Sequence, residues 1–79
     1  MRCFEMKKNE GVLNRGRIFM VIEGYPSQVE RVSKFMGDNH FKSTQCSDLN
    51  PDGTMADFYV ISRSEKSDFM LTYKEARNQ

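Results

Sequence analysis

The feature that most constrains the fold of this chain is the apolar run RIFMVIEG at residues 17 to 24. β-branched and aromatic residues follow one another there almost without interruption, which favours a strand over a helix. Side chains alternate along a strand, so one face would carry Ile18, Met20 and Ile22, and the other Phe19 and Val21. A strand that is apolar on both faces is typical of the centre of a sheet, so we expect strands on both sides of it.

The segment after this strand predicts a helix with both ends marked. In GYPSQVERVSKFMGDN, residues 24 to 39, Ser27 and Glu30 fit a capping box, and Gly37 suits the left-handed residue that follows a helix. Apolar side chains recur at spacings of three and four residues: Val29, Val32, Phe35 and Met36. This spacing places them on one stripe of the helix, which we expect to face the core.

Residues 40 to 62, HFKSTQCSDLNPDGTMADFYVIS, predict two strands joined by a turn at NPDG. Pro51 presets the first turn position, and Gly53 can adopt the positive φ that closes a hairpin with a bulge. Such a turn sets Asn50 opposite Thr54, which sorts the flanking residues onto two faces. The face expected to meet the helix holds Phe41, Leu49, Met55, Tyr59 and Ile61, and the other holds His40, Lys42, Thr44, Cys46, Phe58 and Val60.

The two ends of the chain complete the predicted order of elements. RCFEMKK, residues 2 to 8, suits an edge strand. The tail is compatible with a strand, but we favour a helix over residues 66 to 77, because acidic residues lie near its start and basic residues near its end. The order β-β-α-β-β-α predicts an α+β fold, a small two-layer sandwich in which an antiparallel sheet packs against one or two helices. We expect a ferredoxin-like single domain over residues 1 to 79, with a split β-α-β unit.

Composition limits the classes of protein to consider. Two cysteines in 79 residues are too few for the disulfide framework of a small secreted domain. The longest apolar stretch, residues 18 to 22, is too short to span a bilayer. We therefore expect a cytoplasmic protein with no membrane partner. A formal net charge of +1 provides no strong field that would attract nucleic acid.

The hairpin turn partly matches a calcium-binding loop. Asp48, Asn50, Asp52 and Gly53 occupy the first four defined places of the template D-x-[DN]-x-[DN]-G-x5-E. The twelfth place falls on Tyr59, which lacks the carboxylate that completes the calcium shell. A plain turn between two strands is therefore the preferred interpretation.

No catalytic or metal-binding pattern stands out elsewhere. His40 and Cys46, placed on one strand, would be separated by about 20 Å, which is too far for a catalytic dyad. One histidine and two cysteines also fall short of four zinc ligands, and we expect Cys3 to be a structural thiol. We therefore predict no catalytic residue, cofactor or metal within one chain. A small enzyme or a zinc site assembled across a dimer interface stays open.

The order strand, helix, hairpin, helix resembles the first four elements of the RNA-recognition motif. IFM at residues 18 to 20 is similar to the start of the first-strand signature of that family, and ADFYVI at residues 56 to 61 is similar to its third-strand signature. Thr54 and Met55 stand where the family has a basic residue and a glycine. The resemblance implies that Phe19 and Phe58 lie on an open sheet face, where aromatic rings stack on bases.

The residues combine into one candidate binding face: Arg15, Arg17, Phe19, His40, Lys42 and Phe58. We expect a small non-enzymatic protein that regulates or inhibits a larger partner protein, an enzyme or a toxin, by stoichiometric binding. The chain is short, and its core is small enough for a partner to add useful stability. Binding of RNA or single-stranded nucleic acid through the same face is the alternative, and a homodimer is compatible with both.

Overall fold

The computed structural model describes residues 1–6, 16–46 and 49–79. These residues form the strands β1 (Arg2–Glu5), β2 (Arg17–Gly24), β3 (Gln45–Cys46) and β4 (Met55–Ser62) and the helices α1 (Pro26–Asp38) and α2 (Lys66–Arg77), with a 3-10 turn over Arg63–Glu65. The predicted edge strand at the start of the chain is therefore present as β1. Its proposed extension over residues 7 and 8 lies outside the described residues.

The strands form one antiparallel sheet in the order β1-β2-β4-β3. β2 is central, as expected, and pairs with β4 from Arg17 opposite Ser62 to Gly24 opposite Met55. β2 and β3 run in the same direction with β4 between them and α1 connecting them, which is a split β-α-β unit. β1 lies on the outer side of β2, where a ferredoxin-like sheet has its last strand. The predicted fold class is confirmed.

Both helices pack against the same face of the sheet. The buried core between the two layers consists of Ile18, Met20, Ile22, Val32, Met36, Phe41, Tyr59, Ile61, Phe69, Tyr73 and Ala76. The ring of Phe69 meets the rings of Phe41 and Tyr59 edge to face, with centroids 5.2 Å and 5.1 Å away. Such contacts add stability beyond the burial of apolar area. Among the described residues, neither helix therefore covers the other face of the sheet.

The start of α1 differs from the sequence-based expectation. The helix begins at Pro26, with Tyr25 as its N-cap and no capping side chain, so the capping box predicted from Ser27 and Glu30 is wrong. Proline suits the first helical position because the N–H that it lacks would have no helical partner there.

The end of α1 also differs. Gly37 lies inside the helix, and the left-handed residue after it is His40, at φ 65°. The His40 N–H donates to the carbonyl of Gly37, and the Phe41 N–H donates to the carbonyl of Met36, 2.9 Å away. This is the Schellman arrangement, in which two apolar side chains flank the helix end. Phe41 reaches the core by this route, and not as a strand residue.

The NPDG turn is present, but the hairpin register changes beyond it. The Asn50 N–H donates to the Thr54 carbonyl, as predicted, whereas further along Gln45 pairs with Phe58 and Cys46 with Asp57. Directly opposed residues of antiparallel strands lie on the same face, so Cys46 shares a face with Asp57. The prediction that Cys46 shares a face with Phe58 is therefore wrong. The placing of Leu49 in the core is also wrong, because its side chain is 64% exposed.

The predicted helix over residues 66 to 77 is confirmed as α2. The turn before it carries a capping box that the sequence reading missed, in which the Ser62 N–H donates to Glu65 Oε1 at 3.2 Å. The pattern S-x-x-E was its signal in the sequence. Asp68 in the first turn of α2 and Lys74 and Arg77 in the last turn match the helix dipole, as expected.

Candidate binding face

The side of the sheet opposite the helices forms a continuous surface, here named the open sheet face. It is defined by alternate residues of β1, β2 and β4, because directly opposed residues of antiparallel strands point to the same side. These residues are Arg2, Phe4, Arg17, Phe19, Val21, Glu23, Ala56, Phe58, Val60 and Ser62. Six of these ten side chains are apolar and lie next to one another.

The centre of the open sheet face is a row of three apolar residues. Val21 of β2 lies between its two strand partners, Phe4 of β1 and Phe58 of β4. Only 3% of Val21 is exposed, so this side chain is buried although neither α1 nor α2 lies on this face. Phe19 pairs with Val60 in the next row, which makes it a diagonal neighbour of Phe58. The rings of Phe4, Phe19 and Phe58 are all half-buried.

Charged side chains stand at both ends of this apolar centre. At one end the Arg2 Nε donates to Glu23 Oε1 at 2.8 Å, and the Arg2 guanidinium lies 4.6 Å from the centre of the Phe4 ring. At the other end Arg17 is exposed. The hydrogen bond to Glu23 and the contact with the Phe4 ring hold the Arg2 side chain at this end of the apolar centre.

The structure brings together three of the six residues predicted for the binding face. Arg17, Phe19 and Phe58 lie on the open sheet face, while Arg15 lies outside the described residues. His40 and Lys42 were expected on a strand, which is wrong because β3 begins at Gln45.

His40 instead lies beside the 3-10 turn. Its Nε2 is 3.9 Å from Glu65 Oε2, and its ring is 4.4 Å from the ring of Phe41. The sequence reading missed Phe4, Arg2 and Glu23 as face residues. The alternation in RCFEMKK was the available signal, but the face could be assigned only with the register of β1 against β2 known.

A buried polar cluster joins α1 to β4 on the helix side of the sheet. The Ser33 hydroxyl donates to Asp57 Oδ2, and the Tyr59 hydroxyl donates to Ser33 Oγ at 3.0 Å. Asp57 is 5% exposed and Tyr59 is completely buried, which raises the pKa of Tyr59 to about 12. These groups satisfy one another inside the protein, so the cluster fixes the helix to the sheet.

The two thiols have different surroundings. Cys3 packs against the core, with its Sγ 3.6 Å from Met70 Sδ, and burial raises the pKa of the Cys3 thiol to about 12. Cys46 is exposed on β3. Across the described part of the chain, no three His, Cys, Asp or Glu side chains are grouped closely enough to hold a metal ion.

Neither helix of the described residues has the length and apolar character needed to cross a membrane. Comparison with known proteins gave no matching family model, no matching curated protein and no matching solved structure.

Proposed function

We propose that this chain is a non-enzymatic binding protein that regulates or inhibits a larger partner protein by stoichiometric binding through the open sheet face. The observation that carries the proposal is the row Phe4, Val21 and Phe58 on a sheet face that neither helix covers. Aromatic side chains in a shielded centre, with charged groups at the rim, are the composition of a protein interface.

The charges of the open sheet face favour a protein partner over nucleic acid. Arg2 is paired with Glu23, which leaves Arg17 as the cation of this face without a carboxylate partner among the described residues. Binding of a phosphate backbone depends on several such cations, because each neutralised phosphate adds to the affinity. A partner with an apolar patch suits this face better.

Copurification of the tagged protein tests the proposal. We expect one protein to be retained in stoichiometric amount by the wild type and to be lost from Phe58→Ser and from Phe19→Ser. Leu71→Ser is the matched control, because Leu71 is an exposed apolar residue of α2, 60% accessible and away from the sheet. Circular dichroism checks that each variant is folded. Retention of the same protein by the folded Phe58 and Phe19 variants would contradict the proposal.

RNA binding is the second candidate, and one observation favours it. Phe19 and Phe58 lie on the two central strands as diagonal neighbours on the same face, an arrangement that can stack successive bases. Fluorescence anisotropy of a labelled single-stranded oligouridine tests it. This function requires an affinity that falls as salt rises and that Phe58→Ala weakens about tenfold, as expected for the loss of one stacked base. Absence of binding at low salt eliminates it.

A further inference from the structure

The residues that β2 contributes to the open sheet face form a row whose two ends differ. In chain order they are Arg17, Phe19, Val21 and Glu23. The first end carries an exposed guanidinium that pairs with no carboxylate in the part of the chain that the structure describes. The other end carries a carboxylate whose Oε1 already accepts from Arg2. Because a carboxylate has a second oxygen, it can accept from a further guanidinium at the same time.

Aligned packing of two copies of this face allows two arrangements with two-fold symmetry. The sheets lie about 10 Å apart, and their strands stay within about 30° of one another. An axis along β2 brings the two Arg17 side chains together, and these like charges repel. An axis across the strands at Met20, midway between Arg17 and Glu23, sets each Arg17 opposite Glu23 of the second copy. Charge therefore selects the axis across the strands.

The accessible side chains of the neighbouring strands suit the same axis. It passes between Phe58 and Val60 of β4, so each of these residues faces the other in the second copy. On β1, Phe4 faces Met6 in the same way. All four side chains are half-buried, so each has surface to contact. A ring thus meets a smaller or more flexible side chain at each contact, which lets the two layers interdigitate.

The open sheet face is smaller than a stable dimer needs. β2 and β4 are each eight residues long, about 26 Å at ~3.3 Å per residue, and three strands ~4.8 Å apart are about 14 Å wide. A standard interface buries roughly 800 Å² on each partner, which is more than an outline of this size provides. Two copies therefore associate weakly and reversibly.

We propose that this chain forms a weak homodimer in which two open sheet faces pack about a two-fold axis across the strands at Met20, with Arg17 of each copy paired to Glu23 of the other. The second copy covers the face to which we assign a larger partner protein, so the dimer and that complex exclude each other. The binding face is then covered at high protein concentration and open at low concentration. This competition rests on the proposed function, whereas the dimer itself does not.

Sedimentation equilibrium of the purified full chain tests the dimer. The apparent mass should rise from monomer towards dimer between about 10 μM and about 1 mM, the range expected for an interface below the standard size. Arg17→Glu and Glu23→Arg should each raise the Kd of the dimer about fivefold or more, because each places like charges opposite one another at two symmetric contacts. Arg31→Glu changes an exposed arginine of α1 on the helix side of the sheet and, as the control, should leave the Kd unchanged. Circular dichroism checks that each variant is folded.

An equal mixture of Arg17→Glu and Glu23→Arg gives the sharpest result. In a mixed dimer each end contact again joins one acidic and one basic side chain. The mixture should therefore dimerise at concentrations where either variant alone is monomeric. An effect within one chain, such as loss of the hydrogen bond from Arg2, cannot produce this recovery.

Three results would overturn the dimer: a wild type that stays monomeric up to about 1 mM, unchanged Kd values in both variants, or a mixture that does not recover. A monomeric wild type leaves the copurification test of the open sheet face intact. The absence of a retained partner in that test leaves the dimer intact, so the two failures are distinguishable.

Discussion

At the scale of single residues, His40 has a backbone conformation that is unfavourable for any residue with a Cβ atom. It takes the left-handed φ of 65° at the end of α1, a conformation that costs an L-residue about 1 to 2 kcal/mol and costs glycine nothing. Sequence reasoning assigned this conformation to Gly37 because a glycine was available there. The helix continues past Gly37 because the Schellman bonds form around Met36 and Phe41, which are both buried in the core.

Replacing His40 tests this account of the helix end. His40→Gly should unfold at a higher urea concentration than His40→Ala, with a free energy of unfolding about 0.5 to 1 kcal/mol larger, after allowance for the greater freedom of glycine in the unfolded chain. Both variants lose the ring contact with Phe41 and the pairing with Glu65, so their difference isolates the backbone term. Equal stability of the two variants would contradict it.

The two cysteines differ in their exposure, and alkylation would report this difference. Only the thiolate reacts, and burial raises the pKa of Cys3 from 9.0 to about 12, so its thiol stays protonated at pH 8. Iodoacetamide at pH 8 should therefore modify the exposed Cys46 and leave Cys3 intact, as read by mass spectrometry of the digested protein. In urea both residues should react. Modification of Cys3 at the same rate in the native and unfolded protein would count against its placement in the core.

At the scale of elements, α1 is fixed to β4 by the cluster of Ser33, Asp57 and Tyr59. Ser33→Ala removes a donor from a carboxylate that is 5% exposed, and should lower the free energy of unfolding by about 1 to 3 kcal/mol. Urea denaturation measures the loss. Ser27→Ala on the exposed side of the same helix is the control and should change stability by less than about 0.5 kcal/mol.

A double-mutant cycle separates this contact from a general effect on the helix. Because Ser33 and Asp57 interact directly, the loss in the double variant Ser33→Ala, Asp57→Ala should be smaller than the sum of the single losses by about 0.5 kcal/mol or more. Additive losses would show that the two residues stabilise the protein independently.

The elements also show which features the sequence alone could predict. The strand over residues 17 to 24 was predictable from its run of β-branched and aromatic residues, and α1 from apolar residues that repeat at spacings of three and four. The apolar residues of α2 fit a strand as well as a helix, and the helix was favoured because of the charged residues at its ends. The register of β3 was not predictable: Asn50 is opposite Thr54 but Gln45 is opposite Phe58, and no local pattern reports this shift of one residue. The prediction that Phe58 lies on the face opposite Tyr59 and Ile61 is correct, because eight residue pairs with β2 fix the orientation of β4.

At the scale of the whole molecule, the sheet order was predictable only in part. The split β-α-β unit follows from the order of elements and the preferred handedness of connections. The position of β1 beside β2 places Phe4 in the apolar row with Val21 and Phe58, and this position depends on long-range pairing that no spacing in the sequence encodes. The open sheet face could therefore be located from Phe19 and Phe58, but its extent and the charged residues at its ends could not.

Hydroxyl-radical footprinting of the protein, alone and with its copurified partner, tests the central claim most directly. If the open sheet face is the interface, modification of Phe4, Phe19 and Phe58 should fall by at least about threefold in the complex, since a docked surface is removed from solvent. Leu71 and Tyr25, exposed residues that lie off this face, should be modified equally in both samples. Unchanged modification of the three phenylalanines, with protection of Leu71 or Tyr25 instead, would contradict the claim.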